Sequence, residues 1–415
     1  MIFFWIDSKR KLEVTYESFF QKIIEEGVNN RYIKNSNPYI VFLNLIRNCI
    51  SGKKSIILDA DFSDEELLAL QISKNTYSEG EFIQNNLSEK FKSFEDILFF
   101  IKENNEKLEI DIYTSGTTGR PKKITQLFKN LTRAVKVRDA LKDSVWGFAY
   151  NPTHFAGLQV FFQALFNKNT IVYIFNKGFD EVYLDFVGYN ITNMSCTPTF
   201  MKMLLPSIKE DLIDVKSLTF GGEKFDSKIE KELKKKFSGA TVKNIYASTE
   251  AGSLLKAEGE FFLIPNRYTE VVKIENNELL IHKELLGTSE SFNLKGDWYK
   301  TGDIVEFKDE KMFKFKNRKS EMINVGGYKV NPSEVEAIIK EIKGVEDVIV
   351  FGRDNSVMGK IVVAHIVKNK KEDKKEVKER VKKITSSKLQ DYKLPRLIKF
   401  VDSFDLTRTG KIKKQ

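Results

Sequence analysis

Short apolar runs rich in Ile, Val and Phe alternate with segments of helical period through roughly the first 250 residues, the pattern expected of strands buried between helices. "SIILDA" (55–60) predicts a buried strand. The following "SDEELLALQI" opens with Ser63 and Glu66 at capping-box spacing, so a helix should start there. "EIDIYT" (109–114) predicts a strand running into a hydroxyl-rich loop, with a helix expected near 126–141. Further strands are expected at 146–150, 170–175, 217–222 and 241–246. This alternation argues for α/β layers with largely parallel sheets.

From about Gly259 to Phe315 the texture changes to short strand-like pieces. "EVVKIENNELLIHKE", with "ENN" as its turn, predicts a hairpin in a small β-rich module. After Arg318 the pattern gives a helix near 332–340, strands near 347–352 and 361–367, a lysine-rich helix and a last strand near 397–401. A unit of that size can fold alone. The expected fold is a large α/β N-terminal domain, 1–317, made of two layered α/β subdomains and the β-rich module. A small α+β C-terminal domain, 318–415, follows it.

Composition narrows the chemistry. Of 415 residues 41% are apolar and 30% charged, ordinary for a soluble globular chain with ample core. The two cysteines, Cys49 and Cys196, form no C-x-x-C, and the three histidines at 154, 282 and 365 are scattered. Disulfide frameworks and Cys/His metal clusters are therefore not expected, and a reducing, cytoplasmic setting is. The start "MIFFWIDSKR" lacks the basic start and longer apolar core expected of a secretory signal, and no segment approaches the length expected of a membrane span. From Arg318 onward 24 Lys and Arg face 14 Asp and Glu, a difference equal to the whole net charge of +10. Either a solvated lysine-rich helix or a surface for a polyanion explains this excess. No aromatic-interleaved RNA-binding motif is present, so nucleic acid is not the expected partner.

"YTSGTTGRPKK" (113–123) packs Thr114, Ser115, Gly116, Thr117, Thr118 and Gly119 ahead of Lys122. Successive backbone N–H groups in such a turn make a concave anion site, to which hydroxyls and a lysine add donors. The P-loop pattern needs its second glycine beside the lysine; here Arg120 and Pro121 intervene. Four other stretches follow in order: "NIYASTEAG" (244–252) with Thr249 and Glu250, "WYKTGDIVEF" (298–307) with Asp303 expected in a turn, "NRKSEMINVGGYKV" (317–330), and "LTRTGKIKK" (406–414). Each alone could be bland. Together and in this order they are not.

With these five motifs, spanning residues 113 to 414, the chain resembles the superfamily of adenylate-forming enzymes: acyl-CoA and aryl-CoA synthetases, carrier-protein adenylation domains and firefly luciferase. The resemblance implies that Thr114–Lys122 hold the β- and γ-phosphates of ATP, that Glu250 ligates Mg²⁺, and that Thr249 bonds near the α-phosphate. It puts Asn244, Ile245, Tyr246 and Ala247 along the adenine, with Gly222 and Glu223 opposite. Asp303 and Arg318 would bond the ribose. Lys411 would bridge the acid's carboxylate and the α-phosphate, offsetting the repulsion between two anions. Mobility of the small domain about Ser320 would then withdraw Lys411 and bring Gly326 and Gly327 to a tunnel for an incoming thiol. His154, Phe155, Gly157 and Gly221 become candidates for the acid pocket, although His154 could equally cap a helix or sit satisfied in a wall. The short front end and "PTHFAGL" (152–158) resemble synthetases for aromatic acids such as o-succinylbenzoate.

Ala247 stands where a glycine is usual, Ser320 and Glu321 where an acidic pair is commoner, and Asn324 where lysine often sits. Three functions follow from the resemblance. The first is a ligase joining a carboxylic acid to CoA with ATP and Mg²⁺. The second is a stand-alone enzyme loading the phosphopantetheine of an acyl or aryl carrier protein. The third is a non-catalytic nucleotide- or acyl-binding relative, against which the presence of Lys411, Glu250 and Asp303 counts.

Overall fold

The computed structural model describes residues 2–73, 81–83, 87–115, 121–223, 225, 227–309, 312–325, 328–355 and 359–405. The chain forms two compact units: Met1–Val271 with Ile281–Tyr299, and Val272–Leu280 with Lys300–Gln415.

The first unit is built on a sheet whose centre is parallel. Strands Thr241–Ser248, Ser217–Phe220, Asn193–Cys196, Val145–Phe148, Thr170–Tyr173 and Phe3–Asp7 run side by side in that order. Antiparallel strands flank them: Leu12–Thr15 at one end, Gly252–Glu258 and then Phe261–Leu263 at the other. Successive side chains in a strand face opposite ways, and the two cores show it. Trp5, Ile171 and Tyr173 face one way, into helices Tyr16–Ile24, Pro38–Ile50, Phe94–Glu103 and Phe155–Phe166. Ile6, Val172 and Ile174 face the other, into helices Phe179–Gly188, Pro198–Leu204 and Ser227–Lys236. The first core is unusually aromatic. Phe42 stacks on Phe161 with centroids 3.9 Å apart, and Phe4 on Phe19 at 4.0 Å.

A second sheet of this unit joins Tyr32–Ile33, Ser55–Ile57 and Glu109–Ser115 in parallel, with Pro121–Leu127 antiparallel at the end. The helix after Ser55–Ile57 starts as expected. Ser63 Oγ accepts from Glu66 N, and the Glu66 carboxylate accepts from Ser63 N.

The second unit opens with the "ENN" hairpin between Val272–Glu275 and Glu278–His282; Asn276 and Asn277 both take positive φ, 51° and 61°, as a two-residue hairpin turn requires. Strands Trp298–Phe307 and Met312–Arg318 form a second antiparallel pair. Beyond Arg318 lies a five-stranded sheet ordered Tyr328–Val330, Ile323–Val325, Gly359–Lys368, Val345–Asn355, with Leu397–Val401 parallel to Gly359–Lys368. Helices Pro332–Lys340 and Lys374–Lys388 bury Val335, Ile339, Val377 and Val381 with Val348, Val350, Val362 and Ile366 of that sheet. The α/β architecture with a smaller α+β unit agrees with the sequence. The second compact unit gathers the strand pair ending at Arg318 with the residues after it.

Candidate functional site

The hydroxyl-rich stretch corrects one expectation. It joins two antiparallel strands, not a strand and a helix: Thr114 opposes Lys122, and Ser115 opposes Pro121. The segment expected to be helical instead continues as strand Pro121–Leu127 and reaches only a short helix, Phe128–Thr132. Strand alternation hides here because one of the inward positions is polar: Ile124 is buried, and so is Gln126. Gly116, Thr117, Thr118 and Gly119 lie outside the described residues, as do Gly326, Gly327 and Lys411.

Thr249 and Glu250 occupy the turn between strands Thr241–Ser248 and Gly252–Glu258, where Ser248 opposes Gly252. Gly252 closes the turn with φ +76°, a conformation that favours glycine. The turn is held from behind by side chains that sequence reasoning missed. Gln126 Nε2 donates to Thr249 O at 2.6 Å and to Glu250 O at 2.8 Å. Gly287 N also donates to Glu250 O, at 2.9 Å. Arg133 Nη1 donates to Ala251 O at 3.3 Å. Asn130 ties the set together, giving Nδ2 to Gln126 Oε1 at 3.2 Å and taking Arg133 Nη2 on Oδ1 at 2.6 Å. Burial presses the Arg133 pKa below its ordinary value, opposed by the nearby Tyr268 hydroxyl.

The neighbouring segment Gly221–Glu223 lies past the carboxyl end of the parallel strand Ser217–Phe220. Phe220 pairs with Asn244, after which Gly221 is buried against Ile245; an added Cβ would lie 3.1 Å from Ile245 Cγ1. Gly222 has φ +81°. Glu223 turns back to accept from Thr199 N at 3.1 Å, satisfying the first turn of helix Pro198–Leu204. The register shifts between Tyr246 and Ala247, a local irregularity that re-aims a strand end. In open α/β sheets ligands bind outside the carboxyl ends of strands, which is where Gly221–Glu223 and the Thr249–Glu250 turn lie, while Ile245–Ser248 continue their strand beyond the end of Ser217–Phe220.

His154 occupies the N-cap position of helix Phe155–Phe166, yet its side chain makes no capping bond. It points to Asp59 instead, Nε2 to Oδ2 at 3.0 Å, with side-chain exposures of 14% and 6%. Asp59 also receives Asn151 Nδ2 at 3.3 Å and the Thr153 hydroxyl. A carboxylate this buried needs such donors. Asp59 was not singled out from sequence; the only signal was an acidic residue just past a buried strand. Gly157 has a packing reason, since a Cβ there would collide with the Asn151 carbonyl oxygen. Phe155 is buried beside Gly252, where a Cβ would come within 3.3 Å of its ring. Tyr150, Ser195, Cys196 and Glu223 gather close by, and burial pushes both the Tyr150 hydroxyl and the Cys196 thiol well up from their ordinary pKa values.

In the second unit Asp303 lies inside strand Trp298–Phe307, not in a turn, directly opposite Arg318. Arg318 grips it with two nitrogens, Nε to Oδ1 at 2.5 Å and Nη2 to Oδ2 at 3.4 Å. Thr301 Oγ1 accepts from Asp303 N at 3.0 Å and donates to Leu279 O at 2.8 Å. A second pair braces the same strand ends: Glu278 takes Gly302 N at 3.0 Å and Lys319 Nζ at 2.5 Å. Ser320 follows in the one-turn helix Lys319–Glu321.

Residues 35–272 match the family model described as AMP-binding enzyme, and residues 334–411 match AMP-binding enzyme C-terminal domain. The 2-succinylbenzoate–CoA ligase of Staphylococcus epidermidis is 27% identical over 341 residues, covering 76% of this chain and 70% of its own length. That of Bacillus licheniformis is 26% identical over 332 residues, covering 72% and 68%. Among solved structures, o-succinylbenzoate CoA synthetase (MenE) from Bacillus subtilis with its acyl-adenylate intermediate shares the fold at TM-score 0.69 and 19% identity, covering 99% of this chain and 94% of that one. ATP-bound MatB from Rhodopseudomonas palustris does so at 0.71 and 16%, with the same coverage.

Proposed function

The chain belongs to the AMP-binding enzyme family, and from that premise we propose the chemistry and the residues that perform it. The protein is an AMP-forming acid–CoA ligase. It activates a carboxylic acid with ATP to an acyl-adenylate, releasing pyrophosphate, and then forms the CoA thioester. We take the acid to be aromatic, of the 2-succinylbenzoate kind, a choice supported by the names of the relatives and by "PTHFAGL" after Trp146.

The observation that carries the site reading is the Thr249–Glu250 turn, held on the very strand that leaves the phosphate loop. Gln126 and Gly287 engage both carbonyl oxygens, and the Thr249 hydroxyl and Glu250 carboxylate are the further oxygen donors the turn offers. One carboxylate suits Mg²⁺, which keeps several waters and takes one or two protein carboxylates. Glu250 would hold that ion, whose charge offsets the phosphate negative charge. Thr114, Ser115 and Lys122, with the glycines and threonines between, would hold the β- and γ-phosphates. Thr249 would bond near the α-phosphate. Asn244 to Ala247 would flank the adenine, with Gly222 and Glu223 opposite.

Asp303 would accept the ribose hydroxyls, its carboxylate oriented by Arg318. The acid's carboxylate attacks the α-phosphorus, and the bond to pyrophosphate breaks in line. Lys411 would neutralise both anions as they meet. His154, Phe155 and Gly221 would border the acid. We assign 318–415 as the small domain that exchanges Lys411 for Gly326–Gly327 between half-reactions, turning at Ser320. Its basic surface suits the phosphates of CoA. Among the described residues no helix is long and apolar enough to cross a membrane. Two buried, unbridged thiols, Cys49 and Cys196, support a reducing cytoplasmic setting.

The test is pyrophosphate release from MgATP across a panel of aromatic and fatty acids, with and without CoA, thioesters being identified by mass. Turnover only with CoA and an aromatic acid is expected. Acid-dependent pyrophosphate exchange that CoA never converts to turnover would transfer the second step to a phosphopantetheine carrier protein. No release with any acid, despite ATP binding, would favour a non-catalytic relative.

A further inference from the structure

Three successive carbonyls, those of Thr249, Glu250 and Ala251, are all tied to side chains of one continuous segment. Gln126 holds the first two and Arg133 the third, while Asn130 fixes both clamping side chains. Gln126 is fully buried, and both its amide nitrogen and its amide oxygen are engaged within the protein. The residue before it, Thr125, exchanges two backbone hydrogen bonds with Thr288, at 2.9 and 2.8 Å. Gly287 must lack a side chain for this to close, because a Cβ there would lie 2.7 Å from Gln126 Nε2. Neighbouring Ile124 fills the equivalent inward place with an apolar side chain, so the polar choice at 126 goes with the two carbonyls it holds.

We propose that Gln126 is a positioning residue for Mg²⁺-dependent ATP binding, acting through the peptide planes of Thr249 and Glu250; this rests on the reading of Glu250 as the metal carboxylate. A trans peptide points its N–H opposite its C=O. Holding both oxygens on Gln126 therefore turns two negative dipole ends away from the face that meets the phosphates and fixes the orientation from which the Glu250 carboxylate projects. Because Gln126 lies on the strand Pro121–Leu127, four residues beyond Lys122, the same side chain keeps the carboxylate in register with the phosphate loop. Groups that orient metal ligands without touching the metal commonly carry large effects on affinity.

The experiment is calorimetric titration of the full-length protein with ATP, in Mg²⁺ and in chelator, for wild type, Gln126→Leu and Asn130→Ala. The quantity read is the gain in ATP affinity that Mg²⁺ brings. In Gln126→Leu that gain should fall about 10-fold or more, with metal-free ATP affinity little changed, in keeping with the cost of losing an orienting group. Asn130→Ala keeps Gln126 but frees its amide oxygen, so it should show the same loss more weakly; it also serves if Gln126→Leu fails to fold. A purely structural role would weaken ATP equally with and without the metal. Unchanged Mg²⁺ gains in both variants would overturn the proposal while leaving the ligase reading intact. A wild type with no Mg²⁺ gain would sink the Glu250 assignment, and the role of Gln126 with it.

Discussion

Two buried aspartates, each gripped by a cationic or ionisable partner, are built in opposite ways. Asp303 meets Arg318 across one hairpin, only 15 residues away, and Arg318 is half exposed. Asp59 meets His154 over 95 residues, from the end of one sheet to the start of a helix on another; Asp59 is buried and His154 half-buried. The first pair is a local product of strand register: once the hairpin forms, the contact follows. The second exists only when two sheets pack, and it also collects Asn151 and Thr153. The Asp303 pair is therefore readable from a motif and tunable by solvent. The Asp59 cluster is invisible in sequence and costly to break, since each orphaned buried donor costs about 1–3 kcal/mol.

On the roles we propose, the sharpest division between the two regions is functional. Replacing Lys411 sets the scale: Lys411→Ala should cut acyl-adenylate formation about 10²- to 10³-fold, the size of effect for one electrostatic donor to a transition state. Thioester formation from supplied acyl-adenylate should be nearly unaffected. Equal losses in both half-reactions would remove Lys411 from its role.

Next in size, Asp303→Ala should raise the KM for ATP about 10- to 100-fold, the worth of hydrogen bonds to a charged group, and leave the KM for the acid alone. The mirror experiment is Asp59→Asn, which keeps the volume but replaces an acceptor by an amide. It should raise the KM for the acid about 10-fold through a displaced His154, with the KM for ATP unchanged. If Asp59→Asn moved both constants together, the division between nucleotide and acid regions would fail.

The smallest effect is expected where packing alone is at stake. Gly157→Ala should lower thermal stability by about 1–3 kcal/mol through its clash with Asn151 O, read as a lower Tm, while KM values stay put. A changed KM for the acid would make Gly157 a true pocket residue.

What could be read in the sequence follows the same division. The parallel strands, the Ser63 capping box, the Asn276–Asn277 hairpin and helix Pro332–Lys340 were legible because each is written in neighbouring residues. So was the proximity of Asp303 to Arg318. The strand Pro121–Leu127 was not, because Gln126 breaks the apolar alternation that would have announced it. That same glutamine explains why the clamp on Thr249 and Glu250 escaped notice: its partners are 123 and 124 residues away. Asp59 escaped for a like reason. Motifs name the groups we assign to the ligand, whereas the groups that hold them in place are scattered by the fold.

The central claim is that an acid's carboxylate oxygen attacks the α-phosphorus of ATP. Incubating the enzyme with MgATP, CoA and 2-succinylbenzoate labelled with oxygen-18 in its carboxylates, then weighing the nucleotide product, tests this directly. The account predicts AMP carrying one heavy oxygen, formed together with the CoA thioester. Formation of ADP, or of AMP without label, would contradict it.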